Sequence, residues 1–206
     1  MKKISDSTIR RLSKYYRTLA LQIDNGVETI SSNEIANINS ITSAQVRKDL
    51  SFFGTFGKRG LGYNTEQLKD QIANILGLKK QWSVGLVGFG NIGRALLRYA
   101  EFKKQGFYIK SIFESDSQKY GQVIDGIEIN NIDDACQVVK DQNLEIIIVA
   151  APGKYAQAIV DRFIDCGIKA FLNFAPISLK APEDVLVKNE NMSIELEALS
   201  FFLYNK

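Results

Sequence analysis

The run Trp82-Ser-Val-Gly85-Leu-Val-Gly88-Phe89-Gly90-Asn91-Ile92-Gly93 constrains the chain most: an apolar strand enters a glycine-spaced turn and then a helix. Gly88 permits the tight bend, Gly90 lets backbone N–H groups approach a pyrophosphate, and Gly93 lets the helix sit close to the strand. Glu114 follows 21 residues after Gly93 and closes a second apolar run, Tyr108 to Phe113. A carboxylate there accepts both hydroxyls of an adenosine ribose and repels a 2′-phosphate, which points to NADH and NAD+ rather than their phosphorylated counterparts. Glycines at this spacing also occur in turns of other α/β folds. Strand, helix and acid together make the pattern a dinucleotide site.

The site begins late. About 124 residues follow Trp82, the size of one doubly wound domain, so no separate substrate domain is left and the preceding residues need another role. Apolar and charged shares of 45% and 24% are those of an ordinary globular protein and decide nothing further. The start, Met-Lys-Lys-Ile-Ser-Asp, lacks the apolar stretch of a signal peptide, and no apolar run approaches a membrane span, so a cytoplasmic protein without a membrane partner is expected. Cys136 and Cys166 stand far apart in predicted helices, and the chain has no His. Buried free cysteines are therefore expected, with no metal site and no His-based acid–base chemistry.

Charge separates the two parts. Residues 1–63 hold ten Lys/Arg against five Asp/Glu, whereas residues 64–206 hold sixteen against eighteen, so the formal +3 conceals a basic N-terminal module. Ser5 or Asp6 caps a first helix whose apolar positions Ile9, Leu12, Tyr16, Leu19 and Ile23 recur at helical spacing, and Asn25-Gly26 ends it. Ser31-x-x-Glu34 and Thr42-x-x-Gln45 read as capping boxes of two short helices, a helix-turn-helix. In the second, Val46, Leu50 and Phe53 share the inner face. Ala44, Lys48 and Ser51 then lie outside, with Gln45 and Arg47 flanking and Ser43 at the start. Gln pairs with an adenine edge, Ala meets a thymine methyl, and Arg and Lys hold guanine or phosphate, so this stripe suits the major groove of duplex DNA. The glycine-rich stretch from Phe52 to Tyr63 reads as a two-stranded β-wing with Lys58 and Arg59 at a tip suited to a minor groove. Thr65 caps a fourth helix, which ends at Gly77 before a domain boundary near residue 80.

Beyond Gly93 the pattern predicts a helix over 90–103, strands at 108–114, 145–150 and 169–173, and helices over 133–141 and 155–166. This is a Rossmann doubly wound parallel sheet. Ala151-Pro152 and Asn173-Phe174-Ala-Pro176 end strands at the crevice edge, making Ala151, Pro152, Phe174 and Pro176 the nicotinamide-side candidates. Met192 to Tyr204 is an apolar helix that needs a partner surface. The expected divisions are 1–80, 81–188 and 189–206.

The string from Val46 to Tyr63, the Gly88 loop and Gly167-Ile-Lys-Ala-Phe-Leu-Asn173-Phe-Ala-Pro176 together resemble the Rex family of bacterial redox-sensing repressors over almost the whole chain. The resemblance implies a homodimer of winged helix-turn-helix domains joined to Rossmann domains, with the C-terminal helix exchanged between subunits. It implies binding to operator DNA with two-fold symmetric sites when NADH is low, release on NADH binding, and control of fermentative and respiratory genes. It also implies a redox-dependent exchange of contacts among a first-helix arginine, a tyrosine near the glycine loop and an aspartate ahead of the last helix. These positions match Arg17, Tyr99 and Asn191, and the third is an amide here, which can hydrogen-bond a phenol but cannot form an ion pair, so that the neighbouring Glu190 or packing alone is left to take the aspartate's part. Tyr99 is thereby a cofactor-side and switch candidate.

Two other functions share parts of this pattern. Tyr99-x-x-x-Lys103 imitates the catalytic pair of short-chain dehydrogenases, but it lies on the first helix after the phosphate loop, far earlier than in that class. A CoA-type nucleotide-binding protein would use the same glycine loop. Glu114 opposes it, since CoA carries a ribose 3′-phosphate.

Overall fold

The structure, a computed structural model, describes residues 4–57 and 60–205, and the chain divides into two compact units, Met1–Lys80 and Gln81–Lys206. Lys58 and Arg59 lie outside the described residues.

The first unit comprises α1 (Asp6–Asp24), β1 (Thr29–Ile30), α2 (Ser32–Ile38), α3 (Ser43–Ser51), β2 (Tyr63–Asn64) and α4 (Thr65–Ile75). Ser5 caps α1 by accepting from the Thr8 amide, and Gly26, at φ 76°, ends it with a bond to Ile23 O. Ser31 and Glu34 form a reciprocal capping box on α2. Thr42 caps α3 by accepting from Gln45 N, but the expected reciprocal bond is absent because the Gln45 side chain donates to Asp49 instead. The cap of α4 is Asn64, accepting from Gln67 N. Thr65, expected in that role, is buried as the first helical residue.

The α1 face is rotated slightly from its apolar pattern: Tyr15, rather than Tyr16, is fully buried. The cause is polar. Asp49 on α3 is completely buried and accepts bidentate bonds from Arg11 Nε and Nη2 at 2.6 and 2.7 Å, with Tyr15 Oη at 2.8 Å and Gln45 Nε2 at 2.7 Å. Burial alone would push the Asp49 carboxyl up, but the bonds from Arg11, Tyr15 and Gln45 and the Arg11 charge hold it below its ordinary value. Leu12, Leu19, Ile35, Val46, Leu50, Leu68 and Ile72 form the surrounding core.

The expected two-stranded wing is described only in part, because its tip lies outside the described residues. Among the described residues between α3 and β2 no ladder forms, and β2 pairs antiparallel with β1 through Thr29 opposite Asn64 and Ile30 opposite Tyr63. Gly54, Gly57, Gly60 and Gly62 all have positive φ, which bends the segment out of extended geometry. The segment still doubles back, because a Cβ on Gly57 would collide with Gly62 O.

The second unit comprises β3 (Trp82–Val87), α5 (Asn91–Leu97), α6 (Ala100–Lys104), β4 (Phe107–Glu114), β5 (Val123–Ile124), β6 (Ile127–Asn131), α7 (Ala135–Asp141), β7 (Ile146–Val149), α8 (Gly153–Asp165), β8 (Ala170–Asn173), β9 (Leu186–Asn189) and α9 (Met192–Tyr204). The sheet order is β5-β6-β4-β3-β7-β8-β9, parallel except for the β5-β6 edge pair. The chain moves outward through β4 and β6, then returns to the far side of β3 for β7, β8 and β9. This reversal between β3 and β7 is where open α/β sheets form their ligand crevice. Val84 and Leu86 face one layer with Ile109, Ile112 and Ile129; Val87 faces the other with Phe113, Val149, Val160 and Phe163.

Two expectations fail here. The helix after the glycine loop is not continuous over 90–103: α5 stops at Leu97 and α6 starts at Ala100, with Tyr99 as its N-cap. The cysteines are not free and buried. Cys136 on α7 is exposed and disulfide-bonded to Cys166 at the end of α8, with Cα atoms 4.7 Å apart. Strand β7 separates the two helices in sequence yet returns the chain to the same layer, a proximity that sequence spacing conceals.

Asp49→Asn should destabilise the protein by about 2–3 kcal/mol at neutral pH, less than the 3–5 of a fully buried broken pair because Arg11 retains some water contact. The depressed Asp49 carboxyl supplies stability above its unfolded pKa, near 4, which is lost as pH falls through the folded value. The variant should therefore show a flatter loss of melting temperature in acid, read by circular dichroism. An acid profile identical to wild type would remove Asp49 from that role.

Candidate functional site

The end of β3 is built by backbone contact. Gly88 has φ 92°, and a Cβ there would lie 2.7 Å from Ala150 O and 2.8 Å from its carbonyl carbon. Gly93 on α5 is packed so closely that a Cβ would strike Gly88 O. A side chain at 90, by contrast, would meet nothing within 4 Å. Gly88 and Gly93 thus allow the strand, the next strand's end and the helix to touch, while Gly90 leaves an open approach at the helix start. Asn91 and Ile92 are exposed beside it. The Phe89 ring is buried in the sheet's core, with Arg94 5.5 Å over it, so its backbone faces the site.

Glu114 ends the neighbouring strand β4. Its Oε1 accepts from Phe89 N at 3.1 Å and Lys119 Nζ at 2.9 Å, and Oε2 accepts from Ser115 N at 3.0 Å. Burial acts to raise this carboxyl, but Lys119 and the two amides outweigh it and hold it below the ordinary range. It is ionised at neutral pH. Three donors occupy a group with about four acceptor positions, leaving one, or two if Lys119 turns away.

Across the switch point, Ala151 and Pro152 lead from β7 into α8. Gly153, the first helical residue, packs 3.1 Å (at a Cβ position) from Ile177 Cγ2 and beside Pro176. Asn173, at the end of β8, is fully buried. Its Nδ2 donates to Ala175 O, Ile177 O and Asn189 Oδ1, and its Oδ1 accepts from Ala175 N at 2.9 Å. One amide therefore shapes the loop that carries half-buried Phe174 and exposed Pro176. All the residues expected at the crevice, except Tyr99, lie at the carboxyl edge of adjacent parallel strands.

Tyr99 is 53% exposed and packs edge-on against Phe102 at 5.1 Å. Because it caps α6 instead of lying within a helix, the helical Tyr-x-x-x-Lys arrangement with Lys103 does not exist. Asn191 caps α9 by accepting from Ser193 N at 3.0 Å. Arg17 donates to Ser13 O within α1. The three switch candidates thus have local partners, Arg17 in the first unit and the other two in the second.

On α3, Ala44, Arg47, Lys48 and Ser51 are exposed and Ser43 is half-buried. Arg47 Nη1 donates to Ser32 Oγ at 2.9 Å and Ser51 Oγ to Lys48 O, while Gln45 is held toward Asp49. Sequence reasoning missed Asp49, whose acidic character suggested exposure; Arg11 at matching helical spacing was its only trace.

The model described as "Putative DNA-binding protein N-terminus" matches residues 3–51, and that described as "CoA binding domain" matches residues 79–177. The Redox-sensing transcriptional repressor Rex of Desulfitobacterium hafniense is 46% identical over 199 residues, covering 97% of this chain and 95% of that protein. The chain belongs to the Rex family. Rex of Carboxydothermus hydrogenoformans is 45% identical over 97% of this chain and 96% of its own. Among solved structures, RSP in complex with beta-NAD+ and operator DNA has a TM-score of 0.94 at 36% identity, covering 100% of this chain and 94% of that one. RSP in complex with beta-NADH has a TM-score of 0.90 at 35%, covering 100% and 96%. These relatives are named as transcriptional repressors, not as dehydrogenases.

Asn173→Ala should cost about 2–4 kcal/mol, since it strands buried donors and acceptors of the 174–177 loop. Urea unfolding measures it; a loss under 0.5 kcal/mol would mean the loop holds itself.

Proposed function

We propose that this protein is a homodimeric cytoplasmic repressor that binds two-fold symmetric operator DNA when NADH is low and releases it on binding NADH, controlling fermentative and respiratory genes. The observation that carries the reading is the near-complete match to RSP, crystallised with beta-NAD+ and operator DNA and with beta-NADH. No helix among the described residues is long and apolar enough to cross a membrane.

In this reading residues 1–80 are the DNA-binding domain, with the outer stripe of α3 in the major groove. Lys48 and Arg47 contact bases or phosphates, and Lys58 and Arg59 supply salt-dependent wing contacts. The Asp49 anchor leaves Gln45 its carbonyl and one N–H, enough for an adenine edge. Residues 81–188 hold the dinucleotide. Gly88 to Gly93 receive the pyrophosphate, Glu114 takes the adenosine ribose, and Ala151, Pro152, Phe174 and Pro176 face the nicotinamide. A charged ring loses more hydration than a neutral one beside apolar groups, so this end of the crevice favours NADH. Residues 189–206 join the subunits: α9 buries none of its residues, and Leu199, Phe202 and Leu203 are all more than half exposed, a surface that requires cover. Exchange of α9 onto a second copy supplies it and links the two crevices to the spacing of the two recognition helices.

Glu114→Ala should weaken NADH binding about 10–100-fold, the worth of hydrogen bonds to a charged acceptor, while operator binding without NADH persists. Calorimetry showing wild-type NADH affinity in a folded variant would remove Glu114 from the site.

Asn191→Asp retains a cap, adds a favourable negative charge at the α9 start and restores an acid for Arg17. It should shift the NADH concentration that half-releases operator by about fivefold or more, a coupling of about 1 kcal/mol, with a melting temperature no lower than that of wild type. Equal midpoints would leave the coupling to packing of α9.

A further inference from the structure

We propose that Cys136 and Cys166 form a reversible disulfide, a modification site through which small dithiols and disulfides act on the dinucleotide-binding unit independently of NADH. The two sulfurs join α7 to the end of α8 across 30 residues of sequence. Their settings differ. Cys136 is exposed, so an external thiolate reaches its sulfur, whereas Cys166 packs half-buried against the core formed by Val160, Phe163 and Ile168. That asymmetry fixes the order of events. The thiolate of an external dithiol attacks Sγ of Cys136, and the S–S bond breaks with its electron pair leaving on Cys166. Water protonates the Cys166 thiolate. The second thiolate of the reagent attacks the mixed disulfide, expelling Cys136 as a thiolate that water protonates in turn, and closing the reagent's own disulfide. The protein gains two electrons and two protons. An oxidised dithiol or oxidised glutathione reverses the sequence.

Charge selects the reagent. An open cleft of about 680 Å³ at the disulfide is lined by Asp133, Asp161 and Asp165, with Arg162 as its one cation. Arg162 is already paired with Asp133. The net field at the cleft is negative, so every attacking thiolate is disfavoured and one that carries a further fixed negative charge is disfavoured more, a difference that salt narrows. The disulfide also closes α8 at the end opposite Gly153, which packs on the 174–177 loop. A cytosolic disulfide is characteristically a redox-responsive one; the compartment, and only that, rests on the repressor reading above.

The test uses the intact wild-type protein without DNA or dinucleotide, so its result is separate from the fate of the repressor reading. Thiols are counted by alkylation and mass spectrometry after treatment with dithiothreitol, with the anionic dithiol dimercaptopropanesulfonate, or with oxidised glutathione. Dithiothreitol should release both sulfurs together and lower the melting temperature by about 5–10 °C, the effect of opening a loop of this length. Oxidised glutathione should restore both. The anionic dithiol should react several-fold more slowly at low salt, with the gap closing at high salt. A Cys136→Ser, Cys166→Ser double variant should melt like the reduced wild type and ignore reductant. Resistance of the folded protein's disulfide to dithiothreitol, thiols that stay reduced in oxidised glutathione, or equal melting of both forms would overturn the proposal.

Discussion

Backbone contact at the end of β3 is the constraint on which the rest of the second unit depends. Gly88, Gly93 and Ala150 meet at distances that a single added Cβ would abolish. Their approach brings the starts of α5 and α8 to the two sides of one switch point. It also sets the Phe89 amide over Glu114, so the acid proposed for the ribose is oriented by the same loop that is open at Gly90. Apolar packing on both sheet faces then stabilises an arrangement whose geometry the glycines permit.

The first unit solves a different problem with a charge. Asp49 fastens the inner face of α3 to α1 through Arg11 and Tyr15, leaving Ala44, Lys48 and Ser51 on the outside. A buried ion pair contributes little net stability against an apolar core, but its directional bonds specify one rotation of the helix. A helix that reads base edges needs that definition, since a turn of a few tens of degrees would present different side chains.

Legibility in the sequence followed the range of the interaction. The glycine loop, the acid after β4 and the first caps depend on neighbours within a few residues, and their residue types announce them. Asn173 looked like one member of a loop motif, whereas its bonds to Ala175, Ile177 and Asn189 depend on the meeting of β8 and β9. Tyr99 sat in a helical pattern that the chain interrupts, and Gln45 exchanged an expected cap for a bond to Asp49. The cysteines were read as solitary because the return of β7 brings α7 beside α8 only in three dimensions. Glycines suggested the wing; their positive φ angles bend its described part, whose tip at Lys58 and Arg59 lies outside the described residues, while β2 pairs with β1.

The central claim is that reduction of the bound dinucleotide, and not its turnover, decides whether DNA is held. The most direct measurement is operator affinity of the wild-type protein with NADH and with NAD+ added separately, while NADH absorbance is followed. NADH should weaken operator binding about 5–150-fold and should not be consumed, whereas NAD+ should leave binding intact. Equal operator affinity with saturating NADH and with NAD+ would contradict the claim.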